Sequence, residues 1–294
     1  KGVSSFVTIQ EGCDKFCSFC VVPYTRGPEY SRNYNSIIDE VNSMVSNGAR
    51  EIVLLGQNVN AYQFKNGNKI YRLSDLIDKL TTIKDLKRIR YTTSHPINMD
   101  DELIDLHSNN KKLMPFLHLP VQSGSSKILK MMNRKYDVEF YRDIIFKIRD
   151  KSPNIEISSD FIIGYPGESE QDFINTLDLI DDIKFTQSYS FIYSARPGTK
   201  SAMIEDNLTK KVKSERLKIL QSKLTEIQHD FNKTHVGKKT SVLIENQSAT
   251  NPEYYFGRTP YMQSVYIKSN NLINGEEKDI KITSCNHKSL YGTC

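Results

Sequence analysis

The chain has 294 residues, a formal net charge of +5 and 26% charged residues, a length that suggests one large domain or one large plus one small. No apolar run approaches the roughly 20 residues that span a bilayer, and the N-terminus lacks the pattern of a signal peptide, so a cytoplasmic location is expected. The mild positive excess permits a polyanionic partner without requiring one, while five cysteines, three of them crowded between Cys13 and Cys20, argue against a disulfide scaffold and toward metal binding or catalysis.

The chain starts at Lys1, without a methionine, and runs almost directly into an alternating apolar segment, which suggests an N-terminal portion beyond it. In chain order, short β-branched apolar runs at 5–9, 51–55, 88–92, 115–119, 155–163 and 187–193 read as strands. Between the first two, residues 36–47 place Ile37, Ile38, Val41, Met44 and Val45 at helical spacing, with Ser36 and Asp39 as a capping pair and Gly48 as the stop. Further helices are expected at 74–81, 101–107, 126–132, 139–150 and 170–183. Strand followed by helix, about six times over, implies parallel strands with right-handed crossovers. The expected fold is α/β, a partial (β/α)6 parallel barrel, with an open doubly wound sheet as the competing architecture. A Lys-rich helix follows Thr209, with Val212, Leu217, Leu220 and Leu224 on its apolar side. From Val236 the pattern changes to short alternating strands, clearest at 240–245, 265–268 and 279–283, forming a small all-β barrel of about 60 residues. The expected division is therefore 1–232 and 233–294.

The loops at the C-terminal strand ends favour a barrel, because that architecture builds its sites there. Those ends lead into the cysteine loop from Glu11, Gly-Gln-Asn-Val-Asn from Gly56, Ser-His-Pro from Ser94, Pro-Val-Gln-Ser-Gly-Ser from Pro120, Gly-Tyr-Pro-Gly-Glu from Gly164 and Ser-Ala-Arg-Pro-Gly-Thr from Ser194. Cys13, Cys17 and Cys20 have the spacing C-x3-C-x2-C with no fourth cysteine nearby. Structural zinc prefers paired C-x2-C knuckles and four protein ligands, whereas a cubane iron–sulfur cluster accepts thiolates this close together on one loop. Three ligands leave one iron open to chemistry. The alternative is a zinc loop completed by His95 or His118.

These three cysteines, with Phe19 before the last, resemble the signature of the radical S-adenosylmethionine superfamily. The resemblance implies a 4Fe-4S cluster whose open iron binds the amino and carboxylate groups of S-adenosylmethionine, electron transfer that breaks the cofactor's sulfur–carbon bond to give a deoxyadenosyl radical, and Phe19 as a packing neighbour of the adenine. Residues 11–27 look like the methylthiotransferases within it, and 56–62, 118–125 and 132–136 are closer to the branch that acts on tRNA. Residues 160–168 and 193–202 extend the match over nearly all of the large domain. The tail from Val236 is similar to the RNA-binding TRAM domain.

This resemblance implies methylthiolation at C2 of a prenylated adenosine beside the tRNA anticodon, with an electron donor of the flavodoxin or ferredoxin type and a monomeric enzyme. A carbon with no acidic proton gives radical chemistry a reason to be there. In this reading Gln57, Asn58, Ser94 and Gln122 bind the cofactor, and Gly164 lets backbone approach it closely. Arg26, Arg134, Lys238, Lys239 and Arg258 are the expected RNA contacts; cations beside Tyr254, Tyr255, Phe256, Tyr261 and Tyr266 suit a looped RNA. The family normally carries a further N-terminal domain whose three cysteines hold an auxiliary cluster, and Cys285 and Cys294 do not replace it. These residues alone are therefore expected to cleave the cofactor without completing sulfur insertion. The alternatives are a methylthiotransferase acting on a ribosomal protein and a non-catalytic RNA-binding protein with a structural zinc loop.

Overall fold

The computed structural model describes residues 2–249 and 251–294. Six parallel strands run in chain order: β1 (Ser4–Thr8), β2 (Glu51–Leu55), β3 (Arg88–Tyr91), β4 (Phe116–His118), β5 (Glu156–Ile163) and β6 (Gln187–Ile192). The ladders join β1 to β2 to β3, and β4 to β5 to β6. A parallel bridge between Ile89 and Leu113, with the Met114 amide donating to the Ile89 carbonyl at 3.0 Å, carries the array from one half to the other. Helices α1 (Tyr34–Ser46), α2 (Leu73–Thr81), α3 (Asp101–Asn109), α4 (Ser126–Met131), α5 (Val138–Lys151) and α6 (Glu170–Ile183) occupy the crossovers, as in the expected partial barrel. Their apolar stripes meet the outer faces of the strands. Ile37, Val41 and Val45 of α1, for example, join Val7, Ile52, Leu54 and Ile89 in one buried core.

Local chemistry explains the boundaries. Helix α1 begins two residues before Ser36, because the Asn33 side-chain oxygen accepts from the Asn35 and Ser36 amides at 2.9 and 3.1 Å and caps the helix there. Ser36 and Asp39 are thus inside the helix. Strand β4 is only three residues long; Pro115 precedes it and Pro120 follows closely, and proline cannot donate to a ladder. A hairpin of Gln63–Asn66 and Lys69–Arg72 extends from the loop after β2 and turns at Gly67-Asn68.

Helix α7 (Lys210–Lys233) packs Leu220 and Leu224 onto the large core and leads into the small domain. That domain is a closed five-stranded barrel of β7 (Lys239–Gln247), β8 (Tyr254–Arg258), β9 (Ser264–Lys268), β10 (Glu277–Cys285) and β11 (Ser289–Thr293), in the order β7-β8-β9-β11-β10. Its own core comprises residues such as Val242, Ile244, Val265, Ile267, Ile280 and Leu290.

Two arginines on β3 fasten the barrels together. Arg88, with no exposed surface, lies 2.6 Å from the Glu277 carboxylate and donates to the Arg258 carbonyl at 2.7 Å. Arg90 pairs with the buried Glu51 at 2.8 Å and donates to the Pro260 and Thr259 carbonyls at 2.8 and 3.0 Å. Ile89 and Tyr91, on the opposite face of the same strand, join the apolar core instead. The small barrel therefore seats against polar side chains inside the large one, near the N-terminal ends of its strands.

Candidate functional site

At the opposite, C-terminal ends of the strands, the loop after β1 carries the three cysteines. It turns at Gly12, whose φ is +70° and where a Cβ would stand 2.0 Å from the Pro28 carbonyl oxygen, so only glycine fits. The loop is held from three sides. The Gly12 amide donates to the Gln57 side-chain oxygen at 2.9 Å, and the Gln10 side chain spans the Gly12 carbonyl and the Asn58 amide at 2.8 and 3.0 Å. Ser18 donates through its amide to Met132 and through its hydroxyl to Met131, at 2.9 and 2.7 Å. Asn133 donates to the Phe16 carbonyl at 2.8 Å.

Cys13, Cys17 and Cys20 ring a cavity of about 180 Å3 with Phe19, Gln57, Asn58, Ser94, His95, Gln122, Arg134 and Asp160 among its walls. Loops following four different strands, and Asp160 within β5, thus meet at one place. Among the described residues no group of His, Cys, Asp and Glu gathers around a single point as a mononuclear metal requires; the three thiols are spread around the cavity. Burial pushes the Cys13 thiol up to about 11, with Glu29, Cys17 and Cys20 adding negative charge beside it, and burial also raises Cys20. Burial thus favours the neutral thiol at Cys13 and Cys20, and a metal group that took them as ligands would displace their protons.

The polar side chains of the cavity wall are incompletely bonded. Asn58 Oδ1, Ser94 Oγ and His95 Nε2 are buried without a hydrogen-bond partner, and all three residues line this cavity. Native structures rarely leave such atoms unmet. Burial, helped by Arg134 and Lys15, pushes His95 down to about 2, so its ring is neutral. Its Nδ1 accepts from the Ile97 amide at 3.3 Å, which leaves the proton on Nε2 and makes that nitrogen an unused donor. Thr93 and Gln122, with φ of +64° and +81°, hold left-handed conformations uncommon for their residue types. The Gln122 backbone is pinned in that state by bonds to Asp160 and Ile162 of β5, both at 3.0 Å. Strain retained at a cavity wall is typical of ligand sites.

Of the residues anticipated for the cofactor, Phe19, Gln57, Asn58, Ser94 and Gln122 border the cavity and Gly164 does not. At Gly164 a Cβ would instead meet the Lys213 side chain at 2.6 Å, and its amide donates to Glu168 at 3.0 Å, so it serves the packing of α7. Arg134 departs most from expectation. It is 5% exposed and points at Cys17, and a side chain so buried presents no guanidinium to RNA. Arg26 is exposed beside the rim, at the end of the short helix Val22–Arg26. Lys238 and Lys239 are exposed where the small barrel begins, whereas Arg258 pairs with Glu245 at 3.1 Å and lies over the Phe256 ring. Phe256, Tyr266 and Tyr291 form a ladder of rings with centroids 5.6 and 5.7 Å apart. Tyr255 belongs to the core, and Tyr261 packs on Phe231 and His235 at the junction. His95, anticipated in the Ser-His-Pro rim loop, lines the cavity, whereas Asp160 carries too little local signal to be singled out, since it acquires its place from the barrel's closure.

Comparison with known proteins places this geometry. Residues 7–180 match the model of the radical SAM superfamily and residues 233–294 that of the TRAM domain. The chain is 54% identical over 99% of its length to the tRNA-2-methylthio-N(6)-dimethylallyladenosine synthases of Rickettsia felis and Rickettsia canadensis, and it spans 66% of the length of each. Among solved structures, the radical S-adenosylmethionine methyltransferase TsrM from Kitasatospora setae aligns with a TM-score of 0.56 at 17% identity, over 69% of this chain and 39% of that one. Methylornithine synthase aligns with a TM-score of 0.51 at 15% identity, over 75% and 62%. At such identities these two likenesses bear on the fold alone.

Proposed function

Because the chain belongs to the radical S-adenosylmethionine superfamily, we propose that it forms the cofactor-cleaving and RNA-binding portion of a tRNA methylthiotransferase. Its target is then C2 of an N6-dimethylallyl adenosine in tRNA, the product named for the relatives at 54% identity, at the position beside the anticodon. Family membership implies a 4Fe-4S cluster and S-adenosylmethionine, and together these supply a deoxyadenosyl radical able to take hydrogen from an unactivated carbon.

The residues present suit both groups. Cys13, Cys17 and Cys20 offer three thiolates and leave a fourth corner free. Asn58, Ser94 and His95, which line the same cavity, each keep a polar atom without a partner, and an amino acid or ribose moiety bound there offers groups to satisfy such atoms. Gln57 and Gln10 fix the loop that carries the thiols, Phe19 offers a ring to a base, and Asp160 supplies an acceptor on the β5 wall. The incomplete hydrogen bonding of this one cavity, beside three thiols, is the observation that carries the reading.

The aromatic ladder of the small barrel, with Lys238 and Lys239 close to its first strand, suits stacking and phosphate contacts in a looped RNA. Sulfur insertion further requires an auxiliary cluster, and Cys285 and Cys294, both in the small barrel, are not placed to hold one by this cavity. The reaction also draws on a low-potential donor of the flavodoxin or ferredoxin type, in the cytoplasm. No helix among the described residues is long and apolar enough to cross a membrane.

The test is anaerobic reconstitution followed by iron and sulfide analysis and measurement of deoxyadenosine release under reducing conditions. The unsubstituted chain is expected to hold about four irons and release deoxyadenosine, and Cys17→Ala to do neither. Zinc in place of iron would favour the RNA-binding alternative and defeat the proposal.

A further inference from the structure

Arg134 is a buried cation without an acid. Its guanidinium donates to the Pro120 carbonyl at 2.7 Å, to the Tyr136 hydroxyl at 2.9 Å and to Cys17 Sγ at 3.5 Å, and among the described residues it has no carboxylate partner. Arg90, equally buried, has Glu51. An uncompensated buried charge is strongly destabilising, so the position calls for negative charge from somewhere. The backbone is shaped around it: Asn133 and Lys135, on either side, both take left-handed conformations, with φ of +59° and +62°. The same segment grips the cysteine loop through Met131, Met132 and Asn133. Among the groups that the guanidinium bonds, the sulfur of Cys17 is the one that belongs to the cysteine cluster.

Resting on the proposed function, in which the three thiolates carry an iron–sulfur cluster, we propose that Arg134 is a positioning residue that acts through Cys17 to raise the reduction potential of that cluster. Accepting one electron adds one negative charge to the thiolate-held group. A fixed guanidinium hydrogen-bonded to a ligating sulfur, in a site shielded from water, favours the more negative state. The electron itself comes from an external one-electron donor. The missing carboxylate is then part of the design, since an acid beside Arg134 would cancel its field at Cys17.

The experiment is an anaerobic redox titration followed by electron paramagnetic resonance of the reduced cluster, on the unsubstituted chain, Arg134→Gln and Arg134→Lys, with iron and sulfide measured in each. Arg134→Gln is expected to shift the equilibrium about tenfold toward the oxidised form, about 59 mV for one electron. Arg134→Lys, which keeps the charge but loses the planar fork that reaches Pro120 and Cys17 together, falls between. A side chain that merely docks the loop would lower the iron content and leave the midpoint of the loaded fraction unmoved; that result overturns the proposal. Loss of iron from both variants overturns it equally. An unsubstituted chain that holds no iron would instead defeat the underlying functional reading, which is seen before any variant is made.

Discussion

The two ends of the large barrel bury side chains of the same kind under opposite conditions. Toward the N-terminal ends, Arg88 and Arg90 are saturated by Glu277, Glu51 and three carbonyls of the small barrel. At the C-terminal ends, Arg134 has a thiol and no acid, and Asn58, Ser94 and His95 leave polar atoms unmet. A closed polar network holds structure, while an open one keeps its donors and acceptors ready for a ligand. The difference lies in completeness, since burial and residue type are alike.

Four substitutions probe that contrast. The largest effect is expected at the open end from Gly12→Ala, because a methyl group there meets backbone oxygen at 2.0 Å in a left-handed turn. Iron content should fall to background while circular dichroism reports an intact fold. At the closed end, Arg90→Met strands the Glu51 carboxylate and should lower stability by about 3–5 kcal/mol in denaturant titration, with iron content per folded molecule unchanged.

Ser94→Ala separates the two logics within one residue. Deleting a hydroxyl that has no partner should leave the cofactor-free fold as stable or up to about 1 kcal/mol more so, yet weaken S-adenosylmethionine binding to the loaded protein about tenfold. Equal losses of stability and affinity would mean that the contrast is misdrawn.

The smallest effect concerns pH. Burial pushes the Glu156 carboxyl, at the start of β5, up to about 7. The folded chain therefore keeps a proton there that the unfolded chain has released above about 4.5, and the stability supplied by this group declines as pH rises from roughly 4.5 to 7. Glu156→Gln should flatten the thermal stability profile across that window, a change on the order of 1 kcal/mol. A profile identical to the unsubstituted chain would place the decline elsewhere.

Much of this organisation is legible in the sequence because its causes are local. The apolar spacing of Ile37, Val41 and Val45 marks a helix wherever it occurs, and the cysteine spacing announces its chemistry within eight residues. The hairpin after β2 has a local signal in Gly67-Asn68, but its flanking strands bury little and so lack the apolar alternation that marks the others. Other features are illegible for a physical reason. Arg134 and Cys17 lie 117 residues apart, and no local pattern distinguishes a guanidinium aimed at sulfur from one aimed at phosphate. The alternation of Arg88 and Arg90 on an otherwise apolar strand is visible, but their partners in the small barrel come from the far end of the chain. Unmet polar atoms are likewise a property of closure, which composition and spacing do not encode.

Among the described residues β1 pairs only with β2 and β6 only with β5, so the ring of strands is a C and not an O. Phe6 and Phe191, exposed by 64% and 56%, stand on the two facing edges. A full ring admits only what can be lowered in from its mouth, such as a free small molecule or a chain end. Under the proposed function the substrate is a nucleotide within a polymer, with strand leaving it on both sides, and an unclosed ring sets no continuous wall of backbone against it.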